Sequence, residues 1–250
     1  FWITLTVPSD ARVGKHELTV RMSVDGCPDA VDLSVELEVS SLVLKPRKGF
    51  PVTHWWNADG IADAYKVEAF GDEWFKLAES YLADMVSHGS NMIFVPLLHH
   101  RREIVQRPAQ LLIVNMSESG DYELDWSRVR RFVRLAKKCG FEYFEWPHFW
   151  HMKITPQHEI IGADEPARVY TRVDGKYVPI VPGDAAAMDE RWIAFLKQLL
   201  PQLRQLIREE GIEDVSYYHV SDEPGGSQVD IDNYRACREK LRELAPWTDG

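Results

Sequence analysis

This 250-residue chain lacks most of the devices that stabilise or address a protein without a large core. It has three cysteines, Cys27, Cys139 and Cys237, too few and too scattered for a disulfide framework or a zinc site. Cys139 and Cys237 fall on apolar helical faces and read as buried free thiols. No apolar run is long enough to cross a membrane as a helix. Basic residues are in the minority, 29 Lys and Arg against 39 Asp and Glu, for a formal charge of −10. That balance excludes the concentrated Lys and Arg of a nucleic-acid binder, and it disfavours an anionic membrane surface. A signal peptide is also missing. However, the chain opens Phe1-Trp2-Ile3, without an initiator Met and already inside a strand-like run. We expect the natural N-terminus to lie upstream, so this last absence leaves secreted, periplasmic and cell-surface locations all open.

What is present is enough apolar material for a large core, 45% of residues, in two different patterns. Residues 1–46 read as β structure. Phe1–Val7 and Lys15–Val24 are rich in β-branched and aromatic residues. Val31–Val39 alternates strictly, with Val31, Leu33, Val35, Leu37 and Val39 against Asp32, Ser34, Glu36 and Glu38, which predicts a strand with one buried and one wet face. Three strands are too few for an independent sandwich, so residues 1–46 read as the C-terminal part of a β-sandwich domain. Lys45-Pro46-Arg47-Lys48-Gly49 reads as the linker.

Residues 47–250 alternate strands with helices. The pattern predicts strands at Phe50–Trp56, Asn91–Leu97, Phe141–Trp146 and Val215–Val220. Between them it predicts helices beginning at Asp72 and Asp125 and a third over about 189–210; a fourth follows over about 232–244. Gly89, Gly140 and Gly211 stop the first three, since glycine accepts the left-handed conformation that ends a helix. Such alternation builds a parallel sheet with right-handed crossovers. The first strand is followed by Trp55-Trp56-Asn57-Ala58-Asp59-Gly60 and not by a Gly-rich phosphate turn, which favours a (β/α)8 TIM-type barrel over a doubly wound sheet. Four units would be its first half. The stretches after the second and third strands, 98–124 and 147–188, are long, and in a barrel they lie on the catalytic face. In the second, Asp174-Gly175 predicts a hairpin turn.

The sharpest chemical feature is Tyr218-His219-Val220-Ser221-Asp222-Glu223-Pro224. It puts two carboxylates at the tip of a buried strand, where barrel enzymes carry their acids and bases. Neighbouring carboxylates disfavour each other's ionisation, and so one can be tuned into a general acid. The alternative is a pair of solvated loop acids. Trp55 is a candidate for stacking on a sugar face; alternation turns Trp56 toward the helices or the reverse. Tyr218 and His219 point to opposite sides, so one of them at most faces the pocket. Glu145 is the rival carboxylate. His99 and His100 are adjacent and cannot both reach one ion from an extended backbone, and with His151 they form no ligand set at motif spacing. No metal and no cofactor is expected.

The segment around Asp222-Glu223 resembles the catalytic motif of glycoside hydrolase family 123, whose characterised members are β-N-acetylgalactosaminidases. Trp56-Asn57-Ala58-Asp59-Gly60-Ile61-Ala62-Asp63-Ala64-Tyr65, Asp125-Trp126-Ser127-Arg128 and Phe144-Glu145-Trp146-Pro147-His148-Phe149 resemble other stretches of the same family. Phe1–Pro8 resembles the end of its preceding β-sandwich. The resemblance spans nearly the whole chain and about half of such a protein. It implies a retaining mechanism in which the sugar's own 2-acetamido oxygen is the nucleophile. Glu223 would be the general acid and base, and Asp222 would orient the acetamido group. His148 matches a family histidine, and the sugar-binding candidates are His148, Trp55, Asn57 and Tyr218. After His148 the family has a polar Gln-Trp stretch, where this chain has Phe149-Trp150-His151-Met152, a difference that bears on sugar specificity. The partner implied is a glycan or glycoconjugate. Two other functions remain: a glycosidase using Glu223 with a second carboxylate on a sugar without an acetamido group, and a carbohydrate-binding module without catalysis. The 250 residues alone are expected to be inactive.

Overall fold

The computed structural model describes residues 2–45, 49–99, 108–117, 121–154 and 160–249. The chain divides into two units, 1–50 and 51–250. The central residues of the expected linker, Pro46-Arg47-Lys48, lie outside the described residues, as do Phe1 and His100.

The first unit is one antiparallel ribbon, β1 (Gly14–Met22) against β2 (Val31–Val39), in register from Gly14↔Val39 to Met22↔Val31. Arg21 and Asp32 face each other across it, both exposed. The alternation of Val31–Val39 is therefore real, but the buried face it predicts is not formed. Val31, Leu33 and Val35 are all exposed, because two strands can shield each other's edges but not their own faces. Residues 2–7 form no strand: an extended apolar run becomes one only by pairing, and no partner stands beside it among the described residues.

The second unit begins with helix α1 (Ala58–Tyr65) and continues through α2 (Asp72–Ser87), β3 (Met92–Phe94), the hairpin β4 (Ile113–Met116) and β5 (Tyr122–Asp125), and α3 (Ser127–Cys139). Next come β6 (Tyr143–His148), β7 (Trp150–Ile154), β8 (Ile160–Pro166) and the hairpin β9 (Tyr170–Val173) and β10 (Lys176–Pro179). It ends with α4 (Glu190–Glu209), β11 (Ser216–His219) and α5 (Gln228–Leu244). The predicted hairpin turn is present, with φ of 50° at Asp174 and 76° at Gly175, the left-handed pair of a type I′ turn. Helix α1 and the hairpins β4–β5 and β7–β8 were not predicted.

Helix α3 shows how local sequence sets the frame. Val129, Phe132, Val133 and Ala136 repeat at helical spacing and are fully buried. The Asp125 carboxylate accepts from Ser127 N at 2.8 Å, satisfying one of the amides a helix start leaves over. Gly140 stops the helix at φ 106°, and a side chain there would also press on Val86 Cγ1 at 3.2 Å. In α4, Asp189 accepts from Arg191 N, and the Arg191 guanidinium, first among the causes, holds its carboxyl down to about 2. Helix α5 starts a turn earlier than predicted, because Ser227 and Asp230 form a capping box.

The parallel strands stand in the order β3, β6, β11. Ahead of β3 the predicted first strand is reduced to one parallel bridge, Thr53↔Met92, with Val52 O accepting from Asn91 N and Met92 N. The order is sequential with no reversal, as in a barrel, but the sheet is open and does not close. The core lies on its helix-facing side, where Ile93, Val95, Phe144 and Trp146 join Trp74, Phe132, Trp192 and Leu199, all fully or almost fully buried. No described helix is long and apolar enough to cross a membrane.

Candidate active site

The opposite side of the sheet carries the polar groups, and a bulge brings them together. Tyr217 pairs with Glu145 and His219 with His148. Two steps along β11 thus correspond to three along β6, and the extra residue falls in Trp146-Pro147. Pro147 has no N–H for a ladder, which is why proline in a sheet marks a bulge or an edge. Strict alternation would put Glu145 and His148 on opposite faces. The bulge turns His148 onto the face of Glu145 and His219.

On that face Glu145 is the hub. It is 2% exposed. Its Oε1 accepts from Trp55 Nε1 at 3.0 Å and lies 2.9 Å from His219 Nε2. The His148 and His219 rings lie 4.8 Å apart, and Trp55 meets His148 edge-on at 5.6 Å. Trp55 is half open to solvent, 43% exposed. Its neighbour Trp56 turns the other way, donating to Phe94 O at 3.2 Å and stacking on Phe132. Burial alone would raise the Glu145 carboxyl. The His219, Trp55 and Thr53 side chains beside it outweigh burial and hold it below the usual glutamate range.

A carboxyl whose folded value is depressed stabilises the fold at pH values above its unfolded value, about 4.3. That contribution is lost as pH falls through the folded value. Glu145→Gln should therefore cost on the order of 1.5–3 kcal/mol near neutral pH, and the gap to the parent should close in acid. Urea midpoints across the acid range check this. A gap independent of pH would mean that folding leaves the titration of the Glu145 carboxyl unshifted.

Asp222 and Glu223 follow the end of β11 at the carboxyl edge of the parallel strands. Pairing continues past β11, since His219 O accepts from Phe149 N at 3.4 Å and Val220 O from Trp150 N at 3.0 Å. The chain then turns out of the sheet. Asp222 is half-buried and Glu223 exposed. Glu223 has φ 39°, a left-handed conformation that non-glycine residues rarely take, and one the following Pro224 further disfavours. Strain of this kind gathers where function demands it.

The other predicted residues divide. Asn57 is exposed and precedes α1 without capping it. Tyr218 is not brought to the cluster. It lies on the helix-facing side, edge-on to Trp247 at 5.1 Å, and burial pushes its phenol well up. His219 takes the pocket-facing place instead. Among the described residues no group of three His, Cys, Asp or Glu could hold a metal ion. His99 is buried and accepts from Ala109 N at 3.1 Å. Cys237 is buried, Cys139 half-buried and Cys27 exposed, all as free thiols.

The class these features define is a strand–helix fold with a carboxylate pair at the carboxyl end of a parallel strand. The family model for the catalytic domain of glycoside hydrolase 123 matches residues 55–249, and the chain belongs to that family. A search of curated proteins finds no match. Among solved structures, the chain is similar to a family 123 glycoside hydrolase from Clostridium perfringens, described in terms of glycolipid glycan hydrolysis. The TM-score is 0.68 and the identity 15%, over 96% of this chain and 40% of that one. At that identity the likeness speaks for the fold. The chain thus spans 40% of the length of this solved relative.

Proposed function

We propose that this chain contributes the acid pair of a retaining β-N-acetylgalactosaminidase that uses substrate-assisted catalysis. The observation that carries the reading is the Asp222-Glu223 pair at the end of β11, within the residues matched to the family, with Glu223 held at φ 39°. In the first step the acetamido oxygen attacks the anomeric carbon. The glycosidic bond breaks, and its oxygen takes the proton of Glu223. Asp222 orients the acetamido N–H and balances the positive charge of the oxazolinium ion. In the second step Glu223 takes a proton from water as the water attacks the same carbon, and the acetamido group is restored. Both bond changes invert the anomeric carbon, and so the configuration is retained. His148, Trp55 and Asn57 are the proposed sugar contacts, with His219 added and Tyr218 withdrawn. We assign residues 1–46 to the end of a β-sandwich domain and 47–250 to the first four units of the catalytic barrel.

The two-carboxylate alternative would use Glu145. Its burial and its contacts with Trp55 and His219 favour a holding role, in which it fixes an indole and an imidazole at the floor of the site. A binding module without catalysis has no need of a strained carboxylate at a strand tip.

A thiazoline analogue of the cyclised intermediate tests the mechanism. In the complete protein it should bind at least about a hundredfold more tightly than N-acetylgalactosamine, and 2-hydroxy sugars should be very poor substrates. Efficient cleavage of a plain β-galactoside through a trapped glycosyl-enzyme would overturn the reading in favour of a protein nucleophile.

A further inference from the structure

A cleft of about 460 Å3 opens between the turn joining α1 to α2, strand β4 and the β9–β10 hairpin. It shares no residue with the cluster around Asp222, Glu223 and Glu145. Its size falls among small-ligand sites, roughly 300–1,000 Å3.

The cleft is preformed. The Gln110 amide donates to Leu112 O at 2.8 Å and to Tyr170 O at 3.1 Å, and its oxygen accepts from Tyr170 N at 2.9 Å. Buried Thr171 donates to Val114 O at 2.8 Å. These bonds lock the β9 wall to the β4 wall, so a ligand would not have to order them.

The lining has a defined chemistry. Phe70 and Leu112 supply an apolar wall, and Tyr170 and Tyr177 supply aromatic surface. Among the described lining residues charge is local and positive in an otherwise acidic chain: Arg128 and Arg172 against Glu68 alone. Glu68 reaches Arg128 at 3.5 Å and is mostly exposed, so it neutralises little. Arg172 pairs with no carboxylate among the described residues. Its guanidinium sits 4.9 Å over the Tyr177 ring and gives one N–H to the Tyr177 hydroxyl at 3.0 Å. That contact orients the group while leaving it other donors. The exposed Asn115 adds an amide at the rim.

We propose that this cleft binds one anionic sugar unit, carboxylated or sulfated, on a glycan. A guanidinium matches the planar oxygens of a carboxylate or the oxygens of a sulfate ester. An aromatic face matches the apolar face of a pyranose ring, and an amide matches its hydroxyls. A phosphate or nucleotide site is disfavoured, since the described lining has no lysine and no Gly-rich turn.

Calorimetry on the complete protein tests this with three probes: methyl β-glucuronide, galactose 6-sulfate and neutral methyl β-galactoside. None carries an acetamido group, so binding is read independently of the proposed hydrolysis. One anionic probe should bind at least about tenfold more tightly than the neutral one, and the tighter of the two identifies the anion as carboxylate or sulfate. Arg172→Gln and Arg128→Gln should each weaken it by about tenfold with the unfolding temperature unchanged. If Arg172→Gln proves unstable, Arg128→Gln decides. Equal binding of the neutral sugar, no binding at millimolar concentration, or anion binding that survives a folded variant would each overturn the proposal.

Discussion

Glu223→Gln is expected to slow hydrolysis of an unactivated β-N-acetylgalactosaminide by on the order of 10²–10⁴-fold in the complete protein, the range that positioned general acids supply. Binding should survive, because amide and acid are nearly isosteric. The loss should depend on the leaving group. An aryl oxygen that departs readily needs little protonation, so the first step should be spared with a nitrophenyl glycoside and damaged with an alkyl one. Asp222→Asn should behave differently. On the proposed mechanism it removes the charge that would steady the oxazolinium ion, and it should cost on the order of 10²–10³-fold whatever the leaving group. Rates of both variants on an aryl and an alkyl substrate separate the two roles. Unchanged turnover in either variant would refute the assignment. The strained backbone at Glu223 makes glutamine the appropriate replacement, since it keeps the side chain's shape beside Pro224.

The second large effect concerns how much of the pocket the 250 residues build. The parallel sheet is open: the Thr53 segment lies at one edge and β11 at the other. On its polar side Trp55 and Tyr217 are 43% and 41% exposed. An acid pair without surrounding groups to hold the sugar forfeits positioning, which can contribute about 7–11 kcal/mol to a rate enhancement. We therefore expect the 250 residues alone to hydrolyse an aryl β-N-acetylgalactosaminide at least about a thousandfold more slowly than a version extended by four further strand–helix units. The open edges should also make the short form associate or unfold over a broad range. Comparable turnover by the short form would show that the rest of a barrel is dispensable and that this account of the site is wrong.

Much of the frame was legible because its determinants are local. The spacing of Val129, Phe132, Val133 and Ala136 marks a helix face without reference to any other segment. Gly140 and Gly211 mark stops through their own backbone freedom, and Asp174-Gly175 marks a turn through its own dihedrals. The alternation of helices and strands then yields a sequential parallel order, since crossover handedness leaves few other arrangements. The capping box at Ser227 and Asp230 is equally local, and it sets the start of α5 a turn ahead of Asp232.

What the chain's sequence determined by itself is therefore the repeating strand–helix order and the placing of Asp222 and Glu223 beyond the end of a parallel strand, which the structure leaves half-buried at the sheet's edge. Tertiary structure decided which side chains share a face. The bulge at Trp146-Pro147 turns His148 toward Glu145, and the same sheet sends Tyr218 against Trp247 and His219 into the cluster. It also decided that the apolar face of β2 stays open, and that β4 and β9 are cross-linked into a cleft. The physical reason is the same throughout. Helix caps, turns and periodicity are properties of a few consecutive residues, whereas register, burial and the meeting of charges depend on which distant strand lies alongside, and a shift of one residue there reverses every side chain it carries.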